Sequence, residues 1–192
     1  MLRLFYSPEK ALASLYASAS LWSATILVIL SGASVWLLYA LVNNVDILGK
    51  IVYFVGGVVN FYFSIVIIGV VASGISKFFY GRGSTSATFT LVGYCVPFIA
   101  LWLCIFLVVV FVSDDAPWLL LLVIVMACGL GLLYSLALTG VAIAYANNLS
   151  VVTSSVLLLI GLGVTWGLDK VVAVALNLVG INIGVGFIPL SF

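Results

Sequence analysis

Five long apolar runs, separated by short polar breaks, dominate the pattern of hydrophobic and polar positions along the chain. They cover roughly Leu21 to Val42, Ile51 to Ile75, Phe89 to Val112, Trp118 to Tyr145 and Val151 to Leu168. Each run is close to, or longer than, the roughly 17–25 residues with which a helix crosses a bilayer. The pattern therefore predicts an all-α integral membrane protein, a bundle of five transmembrane helices.

The segment ahead of the first run, residues 1–20, has the pattern of a shorter helix. Ser7-Pro8-Glu9 is typical of a helix start, because serine caps, proline fits the first turn and glutamate favours the helix dipole. Four apolar residues then recur at helical spacing, namely Leu12, Leu15, Tyr16 and Ala19. Two interpretations stay open: an interfacial helix that lies on the membrane, or a juxtamembrane extension of the first span.

The membrane domain accordingly takes residues 21–170, and residues 171–192 form an apolar C-terminal extension. In this interpretation Val171 to Leu178 continue the fifth helix beyond the Asp169-Lys170 pair. The asparagines, glycines and proline that follow favour an irregular end, and a sixth span is the alternative.

Composition supports lipid as the solvent of this chain. Apolar residues make up 66% of it and charged residues only 6%, against about 45–50% and about 25% in a soluble domain. The predicted localisation is therefore integral and multi-pass, and the lipid bilayer is the first predicted partner. A net charge of +1 supplies no basic patch for nucleic acid, so no such partner is expected.

The polar residues do not form the sets that membrane enzymes and pumps use. The chain has no histidine, which excludes Ser-His pairs and most zinc sites. None of its charged residues lies near the middle of a predicted span, where coupled transporters place theirs. Cys95, Cys104 and Cys128 fall inside apolar runs and are interpreted as buried small side chains. We therefore predict a protein that is not an enzyme, with no catalytic residue, metal or cofactor.

Several residues inside the predicted spans depart from the simple apolar pattern. Asn60 lies near the middle of the second run, where it either joins helices through hydrogen bonds or contacts a substrate. Pro97 removes a backbone hydrogen bond from the third run, which predicts either a packing kink or a functional feature, namely a hinge or the wall of a small cavity. Gly163 and Gly167 have the spacing of close helix contacts, either within the bundle or at a dimer face.

The polar break between Lys77 and Thr88 is the largest in the first half of the chain. Its glycines indicate a tight turn, and Ser84 or Ser86 is suited to cap the next helix. Its two basic side chains would face anionic lipid headgroups. We predict a loop that faces partners or lipid and consists of Lys77, Gly81, Arg82, Gly83, Ser84 and Thr85.

The distribution of basic residues predicts the orientation of the bundle. One side of the membrane receives four of them, Arg3, Lys10, Lys77 and Arg82, and the other side receives Lys50 and Lys170. Because basic residues accumulate on the cytoplasmic side, the N-terminus is expected in the cytoplasm.

The same polar break resembles the YIP family, the Ypt/Rab-interacting polytopic membrane proteins. The matching residues are Gly81-Arg82-Gly83-Ser84-Thr85, Thr88, Gly93-Tyr94-Cys95 and Pro97. The resemblance covers about Pro8 to Leu168 and implies five spans with a cytoplasmic N-terminus. Tyr94 and Pro97 stand one residue closer together than in the family pattern. The resemblance is to the short prokaryote-like members, which we expect to lack the long N-terminal region of eukaryotic ones.

Together these features predict a non-enzymatic scaffold or adaptor that organises membrane partners or lipids, in a role similar to membrane trafficking. The protein partner would be another membrane protein or a second copy in a homo-oligomer. The alternative is a passive channel or the membrane subunit of a transporter complex, with Asn60, Tyr94 and Pro97 along its pathway.

Overall fold

The computed structural model describes residues 8–18, 20–42, 47–80, 83–112 and 118–178, and nearly all of them are helical. A short helix is followed by five long ones: α1 Pro8–Ser18, α2 Leu21–Val42, α3 Ile47–Tyr80, α4 Thr85–Val112, α5 Trp118–Asn147 and α6 Val151–Leu178. The five long helices, α2 to α6, are each long and apolar enough to cross a membrane. The prediction of an all-α protein with five candidate spans is confirmed.

The helix boundaries follow the apolar runs closely, except in α3. This helix extends beyond the predicted run at both ends and incorporates Lys50 and Lys77. A lysine can stay within a helix at the membrane edge, because its long side chain carries the ammonium group out to the interface. α6 continues past Asp169-Lys170 to Leu178, as expected. The predicted irregular end and the alternative sixth span concern residues 179–192, which lie outside the described part of the chain.

All five spans contribute to one main apolar core. α4 packs against α2, α3 and α5, and α6 closes the bundle against α3 and α5. The buried members of this main core are Ala24, Val28, Ile65, Ile68, Ala72, Phe89, Val92, Val96, Ile143, Leu157 and Leu158. The outer surface is also apolar, with large exposed hydrophobic side chains on every span. Such a surface is suited to lipid, because a soluble protein exposes far smaller contiguous apolar patches.

Two glycines let neighbouring helices approach closely. A Cβ atom on Gly93 of α4 would stand 2.9 Å from the Cβ of Ala24 in α2, and one on Gly161 would stand 3.3 Å from the Cα of Ile68. The predicted close-contact pair, Gly163 and Gly167, makes no close approach to another described helix, since a Cβ atom added to either residue would meet nothing within 4 Å. The physical reason is helical period: two residues beyond Gly161, the chain has turned about 200° away from α3.

The short N-terminal helix is separate from the first span. Ser20 begins α2 as its N-cap, because its Oγ accepts a hydrogen bond from the backbone N–H of Ser23 at 3.1 Å. α1 packs beside α4 and α5, with Leu12 fully buried. It is therefore not a continuous extension of α2.

The connections place several helix ends together at one end of the bundle. Because neighbouring spans are antiparallel, the start of α2, the turn from α3 to α4 and the turn from α5 to α6 share this end. We call it the polar-turn end. The described members of the predicted loop, Lys77, Gly83, Ser84 and Thr85, lie here.

Candidate functional site

Ser84 opens α4 as its N-cap at the polar-turn end. Its Oγ accepts a hydrogen bond from the backbone N–H of Ala87 at 3.3 Å. Its carbonyl oxygen accepts from both the backbone N–H and the hydroxyl of Thr88, at 2.9 and 2.8 Å. A serine in this position satisfies amide groups that the first turn of a helix leaves free. Of the two serines that the sequence suggested, Ser84 is therefore the cap.

Asn147, the last residue of α5, joins the turn before α4 to the end of α5. Its Oδ1 accepts a hydrogen bond from the backbone N–H of Ser84 at 3.3 Å. Its Nδ2 donates to Thr88 Oγ1 at 2.9 Å and to the carbonyl of Ile143 at 3.0 Å. Asn147 and Thr88 are both almost completely buried. Both the oxygen and the nitrogen of the Asn147 side-chain amide are therefore hydrogen-bonded. This fixes the orientation of the amide and the position of α4 relative to α5.

A second set of contacts holds the same turn to α3. The hydroxyls of Thr85 and Ser73 lie 2.7 Å apart, and the Ser73 hydroxyl also approaches the Val70 carbonyl at 3.2 Å. A Cβ atom on Gly83 would overlap the carbonyl oxygen of Ser73 and come within 3.1 Å of the backbone nitrogen of Lys77. Only glycine fits there without displacing backbone. We call Ser73, Gly83, Ser84, Thr85, Thr88 and Asn147 together the clasp.

Hydrogen bonds also define the turn from α5 to α6, at the end of α5 and at the start of α6. Asn148 adopts a left-handed backbone conformation, with φ of 55°, and the N–H of Leu149 donates to the Ala144 carbonyl at 2.9 Å. This is the hydrogen bond of a Schellman C-cap, with asparagine in the position that glycine usually takes. Ser150 then caps α6 through the N–H of Thr153 at 3.2 Å. Asn147 is thus held by a rigid helix end.

The last turn of α3, from Lys77 to Tyr80, projects past the clasp and is exposed. Ser73 is level with the start of α4, so the seven residues to Tyr80 extend about 10 Å further at 1.5 Å per residue. Phe78 and Phe79 are 83% and 70% exposed, and Lys77 is exposed beside them. We call Lys77 to Tyr80 the helix tip. Aromatic rings next to a lysine are typical of the membrane interface.

The other members of the predicted loop fall into two groups. Gly83, Ser84 and Thr85 belong to the clasp, so their backbone is fixed while their residues stay accessible to solvent. Gly81 and Arg82 lie outside the described residues. The structure therefore brings Lys77 together with a rigid turn, since Gly83 rests on the backbone of Lys77 itself.

Asn60 is buried within the bundle, as a residue near the middle of α3. It is 5% exposed, and among the described residues its Oδ1 has no hydrogen-bond partner. Its backbone carbonyl accepts the Ser64 hydroxyl at 2.9 Å. The side chain therefore does not supply, through Oδ1, the helix-joining hydrogen bond that was one interpretation of the sequence. A buried acceptor without a donor has a cost of about 1–3 kcal/mol.

Replacing Asn60 with leucine is expected to raise the free energy of unfolding by up to about 1 kcal/mol, because the change removes an unpaired acceptor and keeps the volume. Unfolding in mixed micelles with increasing dodecyl sulfate, followed by tryptophan fluorescence, measures the difference. Asn147→Leu is the control, for which the opposite sign is expected. A loss of stability in Asn60→Leu would show that the oxygen does have a donor in the membrane.

Tyr94 and Pro97 are both half-buried in α4. Tyr94 packs against the main core. Pro97 does not interrupt the helix, which runs continuously from Thr85 to Val112. Gly93, next to Tyr94, packs against Ala24 of α2. The residues just before the proline therefore take part in helix packing.

Sequence reasoning missed the part that Asn147 plays. The sequence pattern did not single it out, although an asparagine that directly follows an apolar run is a signal for a helix end. The cysteines are free, with Cys95 and Cys128 buried and Cys104 half-buried. Among the described residues, no group of three His, Cys, Asp or Glu side chains could hold a metal ion.

These observations define the class: an all-α, multi-pass membrane protein in which a polar clasp fixes one end of a five-span bundle. Comparison with protein families matches the chain to the Yip1 domain over residues 2–188. The chain therefore belongs to the Yip1 domain family, and the resemblance seen between Gly81 and Pro97 is confirmed. No curated protein and no solved structure matches the chain.

Proposed function

We propose that this protein is a non-enzymatic scaffold or adaptor, which organises membrane partners or lipids at its polar-turn end. The observation that carries the proposal is the rigid clasp beneath an exposed helix tip. A surface that binds partners benefits from a fixed backbone, because less conformational entropy is lost on binding. The helix tip offers both an ammonium group and large aromatic rings for such contacts.

Orientation is part of this proposal. With the N-terminus in the cytoplasm, the polar-turn end faces the cytoplasm, and the exposed Lys77 of the helix tip lies there. Cytoplasmic leaflets are rich in anionic lipid, and a basic residue near such a surface contributes about 1 kcal/mol of attraction. The Yip1 domain match is compatible with a role in membrane trafficking. We infer that anionic headgroups, or an acidic surface of a membrane protein, bind at this end.

Three buried hydroxyls give less support to a channel. Ser135, Thr139 and Thr165 each donate to the carbonyl of the residue four positions earlier, at 2.8 Å. Their protons are therefore used within their own helices. A solute pathway needs polar groups that are free to exchange partners with the solute. We therefore favour the scaffold over the channel, and flux into proteoliposomes separates the two.

Replacing Lys77 with alanine is expected to weaken retention of phosphatidylglycerol about fivefold, and Lys77→Ala with Arg82→Ala about 25-fold, given about 1 kcal/mol for each charge. Native mass spectrometry of protein from nanodiscs of phosphatidylglycerol and phosphatidylcholine counts the retained lipid. The control is Lys170→Ala, which removes one charge near the other end of α6, where the ammonium group lies over Trp166. Equal losses in the two single variants would disprove a specific site at the helix tip.

A further inference from the structure

Helix α6 continues past its charged pair, Asp169 and Lys170. Apolar composition alone ends the candidate span at Leu168, whereas the helix runs without interruption to Leu178. Val171, directly after the pair, is 65% exposed. Apolar surface therefore lies on both sides of the pair, and the end of the apolar run does not mark the point where α6 leaves the membrane.

The neighbouring helix α3 supplies a scale for the depth of Lys170. The two helices run in opposite directions and meet where Gly161 packs on Ile68. Lys170 lies nine positions beyond Gly161, which is about 13 Å at 1.5 Å per residue. Lys50 lies eighteen positions before Ile68, in the same direction, which is about 27 Å. Lys170 therefore stops about 13 Å short of the level of Lys50, and a tilt of α6 away from α3 would increase this difference.

This level lies within the hydrocarbon region of a bilayer. Lys50 and Lys77 are about 40 Å apart along α3, and a bilayer measures about 40–45 Å with its headgroups and about 30 Å without them. Each of these two lysines reaches a headgroup region, whereas Lys170 lies about 8 Å inside the hydrocarbon. Its ammonium group lies 5.9 Å from the ring centroid of Trp166, one turn nearer the polar-turn end. The side chain is thus directed away from the nearer headgroups.

Lys170 projects from the side of α6 that faces lipid. It is exposed, and it stands about 180° around the helix from Gly161, which meets α3. Asp169 occupies the adjacent position, and adjacent positions on a helix do not face each other. Gly163 and Gly167 lie on the same side as Lys170, and a Cβ atom on either would meet nothing within 4 Å. A lysine within a membrane is costly and normally pairs with an opposite charge, which this side of α6 does not supply.

We propose that this side of α6, with Gly163, Gly167 and Lys170, binds a transmembrane helix of another membrane protein that carries an aspartate or glutamate within its span. Charge complementarity defines the partner, because attraction between an ammonium group and a carboxylate is far stronger in hydrocarbon than in water. The two glycines let the backbone of the partner approach closely. A second copy of this chain does not fit, because a two-fold contact here would bring two lysines together. The site rests on the proposed adaptor role and names a partner for it.

Spin labelling tests the depth of Lys170. The three cysteines are replaced by alanine, and a nitroxide is attached to Lys170→Cys or to Lys50→Cys in protein reconstituted into vesicles of phosphatidylglycerol and phosphatidylcholine. Oxygen concentrates in hydrocarbon, and a charged nickel complex stays in water. Collisions with oxygen should dominate at position 170, and collisions with the nickel complex at position 50. Equal profiles at the two positions would place Lys170 at the surface and overturn the proposal.

Peptide binding tests the chemistry of the partner. The probe is a synthetic leucine-alanine helix of about 24 residues, with two glycines at the spacing of Gly163 and Gly167 and one central aspartate. Energy transfer to labelled protein in the same vesicles measures its affinity. The aspartate peptide should bind about fivefold tighter than the same peptide with leucine at that position. Lys170→Leu should remove this difference, whereas Lys170→Arg and the control Lys50→Leu should keep it.

Two results of the binding experiment would overturn the proposal. One is equal affinity of the original protein for the two peptides. The other is a preference for aspartate that persists in Lys170→Leu, since the carboxylate would then bind elsewhere. Energy transfer between two differently labelled copies that Lys170→Leu abolishes would also overturn it and assign the surface to a second copy. Phosphatidylglycerol retention at Lys77 reports on the polar-turn end and does not involve this side of α6, so the two proposals can fail separately.

Discussion

Replacing Asn147 with leucine should lower the free energy of unfolding by about 2–3 kcal/mol, because three hydrogen bonds are lost and each contributes about 0.5–1.5 kcal/mol. The leucine also cannot pair with the buried Thr88 hydroxyl or with the backbone N–H of Ser84. Unfolding in mixed micelles with dodecyl sulfate, followed by tryptophan fluorescence, measures the loss. This side chain has the largest expected effect of any polar group in the clasp.

The neighbouring residue supplies the control for Asn147. Asn148 is exposed and has the left-handed backbone conformation that glycine adopts most readily. Asn148→Gly should therefore leave the free energy of unfolding within a few tenths of a kcal/mol of the original. If Asn147→Leu were as stable as Asn148→Gly, the clasp would not hold α4 to α5, and the proposed rigid turn would be wrong.

Replacing Gly83 with alanine should lower the free energy of unfolding by about 1–3 kcal/mol, the usual cost of forcing an extra carbon into a packed position. The new Cβ atom would overlap the Ser73 carbonyl oxygen and approach the Lys77 nitrogen. Both are backbone atoms of a continuous helix, so neither can move aside as a flexible side chain would. The turn must shift instead, which would strain the Thr85–Ser73 hydroxyl pair.

Gly74→Ala is the control for Gly83, because it adds the same carbon within α3, next to the clasp residue Ser73. Gly74 is exposed within α3, and a Cβ atom there meets nothing within 4 Å. Alanine is favoured over glycine inside a helix by about 0.5–1 kcal/mol, so this variant should be slightly more stable. Melting temperatures of the two variants in one detergent compare them directly. If Gly74→Ala lowered the melting temperature and Gly83→Ala left it unchanged, the close packing of Gly83 on α3 would be wrong.

The two clasp variants also connect stability to the proposed function. Because Gly83 rests on the backbone of Lys77, a displaced turn changes the surroundings of the helix tip. Both Asn147→Leu and Gly83→Ala should therefore reduce phosphatidylglycerol retention below that of their controls, although Lys77 is still present. Unchanged retention in folded protein would show that the lysine acts as a point charge and needs no fixed turn.

The roles of some polar residues can be predicted from the sequence, and the roles of others cannot. The serine cap at Ser84 was predictable, because an N-cap bonds to the amides of its own first turn. Asn147 was not, because its partners, Ser84 and Thr88, lie about sixty positions away along the chain. Asn60 shows the reverse case. Its place near the middle of a span suggested a partner, and the fold provides none for Oδ1 among the described residues.

Sequence by itself determined the membrane class, the number of described spans and the Yip1 domain family. Hydropathy over some twenty residues depends on composition alone, and a bilayer leaves only helices for such runs. Tertiary structure alone decided that Gly161 rather than Gly163 meets α3, that α1 packs beside α4 and α5, and that the clasp fixes the polar-turn end. These features depend on which sides of distant helices meet. A shift of one residue along a helix rotates the contacting side by about 100°. A helix that is apolar on all sides has no sequence pattern that specifies which side meets a neighbour.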